Sequence, residues 1–256
     1  MSYFEKESIG FDNFDTCPED YKKIVIRILA LQAYAERLGA IEVSGKLSLA
    51  PDFRARRQVS QIAHEESIHA CLLYGILEKV GVSENEALTI AMGSNLDTPS
   101  SKSLEGPMAV GDDDNQWIDI ALNAMLLDRA GCYMVNNFAQ SSFKPWANAC
   151  QRIYKDELFH KSFGLAQFKK HISQPHDESE LINKFMTWYS RGLNFFGPPN
   201  VKSTDRLKEY GIKREDNETM RLKYIEEVAA MMRDLNLSHF IKPLKVDAYP
   251  FRFEAS

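Results

Sequence analysis

The sequence predicts an all-α fold: a four-helix bundle with one long crossover and additional C-terminal helices. Three observations carry this. Apolar residues recur with helical spacing over four long stretches. Two of those stretches contain near-copies of one octad, IAHEESIH at 62–69 and IYKDELFH at 153–160. Between the second and third stretches, NLDTPSSKSLEGPMAVGDDDN is rich in turn formers and has no periodicity. The chain has 256 residues and 44% hydrophobic content, enough for one large helical core.

The first long helix is expected to begin at Thr16, where Thr16-Cys17-Pro18-Glu19 reads as a capping box with proline in the first turn. Val25, Leu29, Gln32 and Glu36 then form a seam beside a stripe of Ile24, Ile28, Leu31, Ala35 and Leu38. The second helix, near 52–80, carries Val59, Ile62, Glu66, His69, Leu73 and Ile76. Ser83-Glu84-Asn85-Glu86 caps a short helix ending near Gly93. The aperiodic stretch is the crossover joining two helical hairpins. Its Asp112-Asp113-Asp114 run lacks the ligand pattern of a calcium loop and reads as a solvated helix N-terminus.

The third helix, near 114–140, aligns Ala121, Ala124, Asp128, Gly131 and Val135. Small residues there either leave space for a substrate or oxygen pocket or allow close helix packing. The fourth, near 143–172, aligns Cys150, Ile153, Glu157, His160 and Gly164. A further helix near 177–196 holds Leu181, Phe185, Trp188 and Tyr189, as core or as substrate lining. Ser203 or Thr204 caps a short helix ending at Gly211, and a last helix runs from about 214 to 236. The expected organisation is a single domain over 1–256, with the bundle at about 16–172, a helical extension at about 177–240 and an extended tail at 241–256 that lies on a partner.

Residues three apart share a helix face, so Glu66 with His69, and Glu157 with His160, can each offer a carboxylate and an imidazole to one metal ion. Glu36 precedes Glu66 by 30 positions and Asp128 precedes Glu157 by 29. In an antiparallel hairpin such pairs face each other if the turn lies midway. Pro51-Asp52 occupies one midpoint and Ser141-Ser142 the other. The result is four carboxylates and two imidazoles, the ligand set of a di-iron or di-manganese carboxylate bundle. An ionised carboxylate in an apolar seam costs several kcal/mol unless a partner such as a divalent cation compensates it. His64-Glu65 fails as a zinc-protease motif because position 68 is Ile, so His64 is expected at the surface or beside a ligand.

A net charge of −5 argues against general nucleic-acid binding. No run approaches the roughly 18 apolar residues that would cross a bilayer. The N-terminus lacks the basic start and apolar core of a secretory signal. Cys17, Cys71, Cys132 and Cys150 are widely spaced with no CxxC pair, and three of them lie in apolar helical patterns, which favours small buried thiols in a reducing, cytoplasmic compartment over disulfides or a zinc site.

The four helices with Glu36, Glu66-x-x-His69, Asp128 and Glu157-x-x-His160 resemble the ferritin-like di-iron oxygenases. Within them the chain is similar to the phenylacetate-catabolism family, closest to the catalytic subunits of its phenylacetyl-CoA epoxidases. The likeness runs through PEDYKKIVIRILALQAYAERLGA, HEESIHACLLYGILEKVG, WIDIALNAMLLDRAG, KDELFHKSFG and WYSRGLNFFGPPN, spanning about 18–240, and weakens in the tail.

The resemblance implies a ferritin-like bundle in which those six residues bind two iron ions, with manganese as the alternative. It also implies O2-dependent epoxidation or hydroxylation of an aromatic acyl-CoA thioester, an external electron donor (a reductase) and, for a partner, a homologous structural subunit. In related multicomponent monooxygenases the acid before each paired glutamate orients a ligand histidine, which here implicates Glu65 and Asp156. The alternative is that both are solvated, since they lie about 100° round the helix from the ligands. Arg152, Lys155, Lys169 and Lys170 are either a coenzyme A phosphate site or a solvated face. Two other readings remain open: a related di-iron oxidase in a biosynthetic pathway, and a non-catalytic scaffold subunit.

Overall fold

The computed structural model describes residues 8–93, 116–199, 202–242 and 249–251. The crossover with Asp112-Asp113-Asp114, and most of the tail, lie outside them. Helices α1 (Phe11–Phe14), α2 (Glu19–Gly45), α3 (Phe53–Lys79) and α4 (Glu84–Met92) precede the crossover. After it come α5 (Trp117–Leu122), a π-helical turn (Asn123–Leu127), α6 (Asp128–Phe138), α7 (Lys144–Ile172), α8 (Glu178–Phe195), α9 (Lys202–Glu209) and α10 (Asn217–Asp234). The fold is all-α, as expected for a ferritin-like bundle. Among the described residues no strand forms, only a single bridge between Ile9 and Phe143.

The first hairpin closes where its residues dictate. Asp52 caps α3, its side chain accepting from the Ala55 N–H at 2.8 Å. The second hairpin turn, Ser141-Ser142, is fastened from both sides. Ile9 N–H donates to the Ser142 carbonyl at 2.9 Å, Ser142 N–H donates to the Gly211 carbonyl at 2.8 Å, and Ser142 Oγ lies 2.9 Å from Tyr21 Oη. Ser83 and Glu86 form the expected capping box on α4, and Gly93 ends that helix with φ of 79°.

The start of the first long helix differs from expectation. It begins at Glu19 with Pro18 as N-cap and no side-chain cap bond. Thr16 lies two residues outside the cap position, and its hydroxyl donates to the Asn13 carbonyl at 2.7 Å just after α1. Thr204 lies inside α9 and so does not cap it.

Two large apolar cores form among the described residues, beside a small cluster of Val59, Ile62, Ile120, Ala124 and Phe163. One joins α2, α3, α4, α6 and α7 around Tyr21, Leu29, Leu73, Trp146 and Ile153. The other packs the α5 segment against α8 and α10 around Leu126, Phe185, Tyr189, Tyr224 and Phe240. Gly164 of α7 permits the close approach that fixes α5: a Cβ there would lie 2.3 Å from the Met125 nitrogen and 2.7 Å from the Ala121 oxygen. Asn137 ties α6 to the extension, accepting from Arg214 N–H at 2.7 Å and donating to the Glu215 carbonyl at 2.9 Å. The described end of the tail folds back on the chain itself. Phe251 is buried, and its backbone exchanges two hydrogen bonds with the Asn194 side chain.

Candidate metal centre

The six residues singled out by spacing converge midway along the bundle. Glu36 comes from α2, Glu66 and His69 from α3, Asp128 from the first position of α6, and Glu157 and His160 from α7. Glu36, Glu66 and Glu157 are each under 9% exposed, and both histidines are fully buried. The ligating atoms form two groups, each close enough to hold one ion: Glu36, Glu66, His69 and Glu157 in one, and Asp128, Glu157 and His160 in the other. Glu157 belongs to both. Glu66 also reaches toward the second group, its Oε1 lying 3.3 Å from His160 Nδ1.

Each imidazole is held from behind by the other hairpin's acid. His69 Nε2 lies 3.1 Å from Asp156 Oδ2, and His160 Nε2 lies 2.9 Å from Glu65 Oε2. The rotation of about 100° that suggested solvation instead turns Glu65 toward α7 and Asp156 toward α3. Because α3 and α7 run antiparallel, the two bonds are reciprocal. Both ring Nδ1 atoms are thereby left facing inward, toward the carboxylates. Their ring centroids are 6.1 Å apart.

The electrostatics without a cation are strained. Burial raises the Glu66 carboxyl to about 8, partly opposed by His160 and reinforced by Glu36 and Glu157. Burial likewise lifts Asp128 and Glu157 to about 7. Burial would lower His69, but the Glu36 carboxylate at 3.3 Å and its acidic neighbours bring it up to about 9. His160 is raised by Glu157 and Glu66 against the same opposing burial. Its Nδ1 is buried yet makes no hydrogen bond of acceptable geometry. Hard carboxylate oxygens around an inward, unsatisfied imidazole nitrogen suit a divalent cation.

The profile of the phenylacetic acid catabolic protein family matches residues 7–240. The chain belongs to that family. It is 25% identical over 236 residues to one subunit of the 1,2-phenylacetyl-CoA epoxidase of Escherichia coli (strain K12), across 88% of this chain and 71% of that protein. It is 26% identical over 163 residues to benzoyl-CoA oxygenase component B of Aromatoleum evansii, across 62% of this chain and 33% of that protein.

In this family member a cavity of about 390 Å³ opens on the carboxylate side of the centre. Glu36, Glu66, Asp128 and Glu157 border it, and its walls are largely apolar, with Ile28, Leu31, Ala35, Ile62, Ile120 and Leu127 among them. Both readings of the small residues hold at once: Ala124 and Gly131 line the cavity, while the Ala121 carbonyl and Ala124 also meet Gly164. Trp188 is both core and lining. Arg152, Lys155, Lys169 and Lys170 are exposed and do not line it, and Lys170 pairs with Asp52 at 3.0 Å. His64 is exposed. Cys17, Cys132 and Cys150 are buried free thiols, and Cys71, on the outer face of α3, is exposed. Among the described residues no helix is long and apolar enough to cross a membrane.

Spacing alone missed three contributors. Gln32 donates to Glu36 Oε1 at 3.3 Å and accepts from Trp146 Nε1 at 2.8 Å, so it steadies the Glu36 carboxylate. Its place one turn before Glu36 was the available signal. Gly39 leaves room for Glu66, since a Cβ there would lie 2.8 Å from Glu66 Oε2. The π-turn before Asp128 had no sequence signal that periodicity could read.

Proposed function

We propose that this chain is an O2-dependent, non-haem di-iron monooxygenase that epoxidises or hydroxylates an aromatic group presented as a coenzyme A thioester. The observation that carries the reading is the pair of buried ligand groups sharing Glu157 and opening directly onto an apolar cavity. Both named relatives are oxygenase components whose names specify aryl-CoA substrates, which supports the same class here.

Glu36, Glu66, His69 and Glu157 would hold one iron, and Asp128, Glu157 and His160 the other. Two irons bound there would supply open coordination sites for O2 and pass to it the electrons delivered from outside. The reaction consumes O2, two electrons and two protons; one oxygen atom enters the ring and the other leaves as water. An external reductase supplies the electrons, and a homologous structural subunit is the expected partner. Glu65 and Asp156 fix the imidazoles so that Nδ1 faces the carboxylates that would hold the metal. Glu36, held by Gln32, keeps its carboxylate aimed at His69. The apolar walls exclude water and favour an aryl ring.

The test has two arms. Purified protein supplied anaerobically with ferrous iron should bind two metals per chain, and a stoichiometry substantially below two would sink the di-iron assignment. The reduced, loaded protein given O2 and a panel of aromatic acyl-CoA esters and free acids should yield products heavier by one oxygen atom. Oxidation of free acids alone would remove the thioester.

A further inference from the structure

The cavity contains one interior polar side chain with no role in what precedes. Gln32 is committed to Trp146 and Glu36, Glu42 to Lys46 at 2.8 Å, and Asn194 to the backbone of Phe251. The carboxylates belong to the metal groups, and Arg27 is exposed at the rim. Asn123 is different. It lines the cavity, its Oδ1 is sealed from solvent, and that oxygen has no hydrogen-bond partner. Among the described residues its side-chain amide makes no hydrogen bond.

Its position is set by the backbone. Asn123 opens the π-turn, and its carbonyl accepts the Asp128 N–H, so it lies one wide turn from a metal-group carboxylate. Single π-turns inside α-helices recur at functional sites, because the extra residue re-aims side chains on either flank. The neighbouring lining residues Ile120, Ala124 and Leu127 are apolar. Asn123 as a whole is half-buried and only its Oδ1 is sealed, so the amide nitrogen, a donor that no described residue engages, is the group left to meet a ligand in the cavity the residue lines.

Resting on the function above, we propose that Asn123 is the specificity residue that anchors the substrate's acyl carbonyl. With its oxygen in the wall, the amide offers Nδ2–H to the cavity, and a thioester carbonyl adjacent to an aryl ring is the acceptor that matches it. The bond fixes how far the ring sits from the Asp128 side of the centre, and hence which ring carbons face the metal groups.

The test compares two ligands on two proteins by calorimetric titration, without turnover. The ligands are phenylacetyl-CoA and its thioether analogue, in which the carbonyl is a methylene. The proteins are the full chain and its Asn123→Leu variant, with Asn123→Ser as a second variant should the first fail to fold. The expected result is that the substitution weakens phenylacetyl-CoA roughly 3- to 10-fold, the value of one neutral hydrogen bond, and leaves the thioether unchanged. The melting temperature should not fall, since no internal hydrogen bond is lost. Equal weakening of both ligands, or no weakening of either, overturns the anchor while leaving the oxygenase reading intact. Failure of the unsubstituted chain to bind either ligand overturns both.

Discussion

Glu66→Gln should make the metal-free protein more stable while impairing its metal binding. The folded carboxyl holds its proton up to about 8, whereas in the unfolded chain it ionises near 4.5. A carboxyl raised in this way favours the folded state fully below the unfolded value, and that contribution is lost as pH rises toward the folded one. At pH 7 the mismatch is worth up to about 3 kcal/mol, which an isosteric amide does not incur. For a chain of this size that is roughly 6–12 °C in melting temperature. Thermal melts of chelator-treated protein between pH 5 and 8 read it directly. The unsubstituted chain should lose stability across this range and Glu66→Gln should lose less, so the two curves diverge with rising pH. Added Mn²⁺ should raise the melting temperature of the unsubstituted chain and do less for the variant. A metal-free variant less stable than the parent at pH 8 would refute the reasoning, since Glu66 would then be stabilising the fold and not burdening it.

Asp156→Asn and Glu65→Gln should each lower metal affinity about 10- to 100-fold in chelator competition without loss of helical content, because each removes the charged acceptor behind one imidazole; unaltered affinity would show that neither acid orients its histidine. Gly164→Ala should destabilise the fold by about 1–3 kcal/mol, since the new Cβ meets the backbone of α5 and the π-turn and no movable side chain; an unchanged melt would exclude so close an approach. Iodoacetamide should label Cys71 in the folded protein and reach Cys17, Cys132 and Cys150 only on unfolding, as mapped by peptide mass spectrometry.

What could be read from the sequence was whatever repeats with the period of a helix. The hairpin arithmetic linking Glu36 to Glu66 and Asp128 to Glu157 needed only the helical rise and a turn at each midpoint, and Asp52 and Ser141-Ser142 supply those turns. Features that break the period were hidden. The π-turn at Asn123–Leu127 changes the phase of its helix without any proline or glycine to mark it. Thr16 offered a plausible cap, but the helix starts at Glu19 instead, and the hydroxyl makes a local bond to the Asn13 carbonyl at the end of α1. The partners of Glu65 and Asp156 depend on which helices become neighbours, and residues about 100° from a seam are solvated or bridging according to that choice alone.

The crossed bonds from Asp156 to His69 and from Glu65 to His160 have a thermodynamic consequence. Each acid adjoins a glutamate of the paired groups, Asp156 beside Glu157 and Glu65 beside Glu66, yet braces an imidazole on the opposite helix. If the two groups bind ions as proposed, the first ion to arrive orders part of the cradle for the second. Occupancy then becomes cooperative, with singly loaded chains scarce, and a titration should pass from empty to full over a narrower range of metal concentration than two independent sites allow.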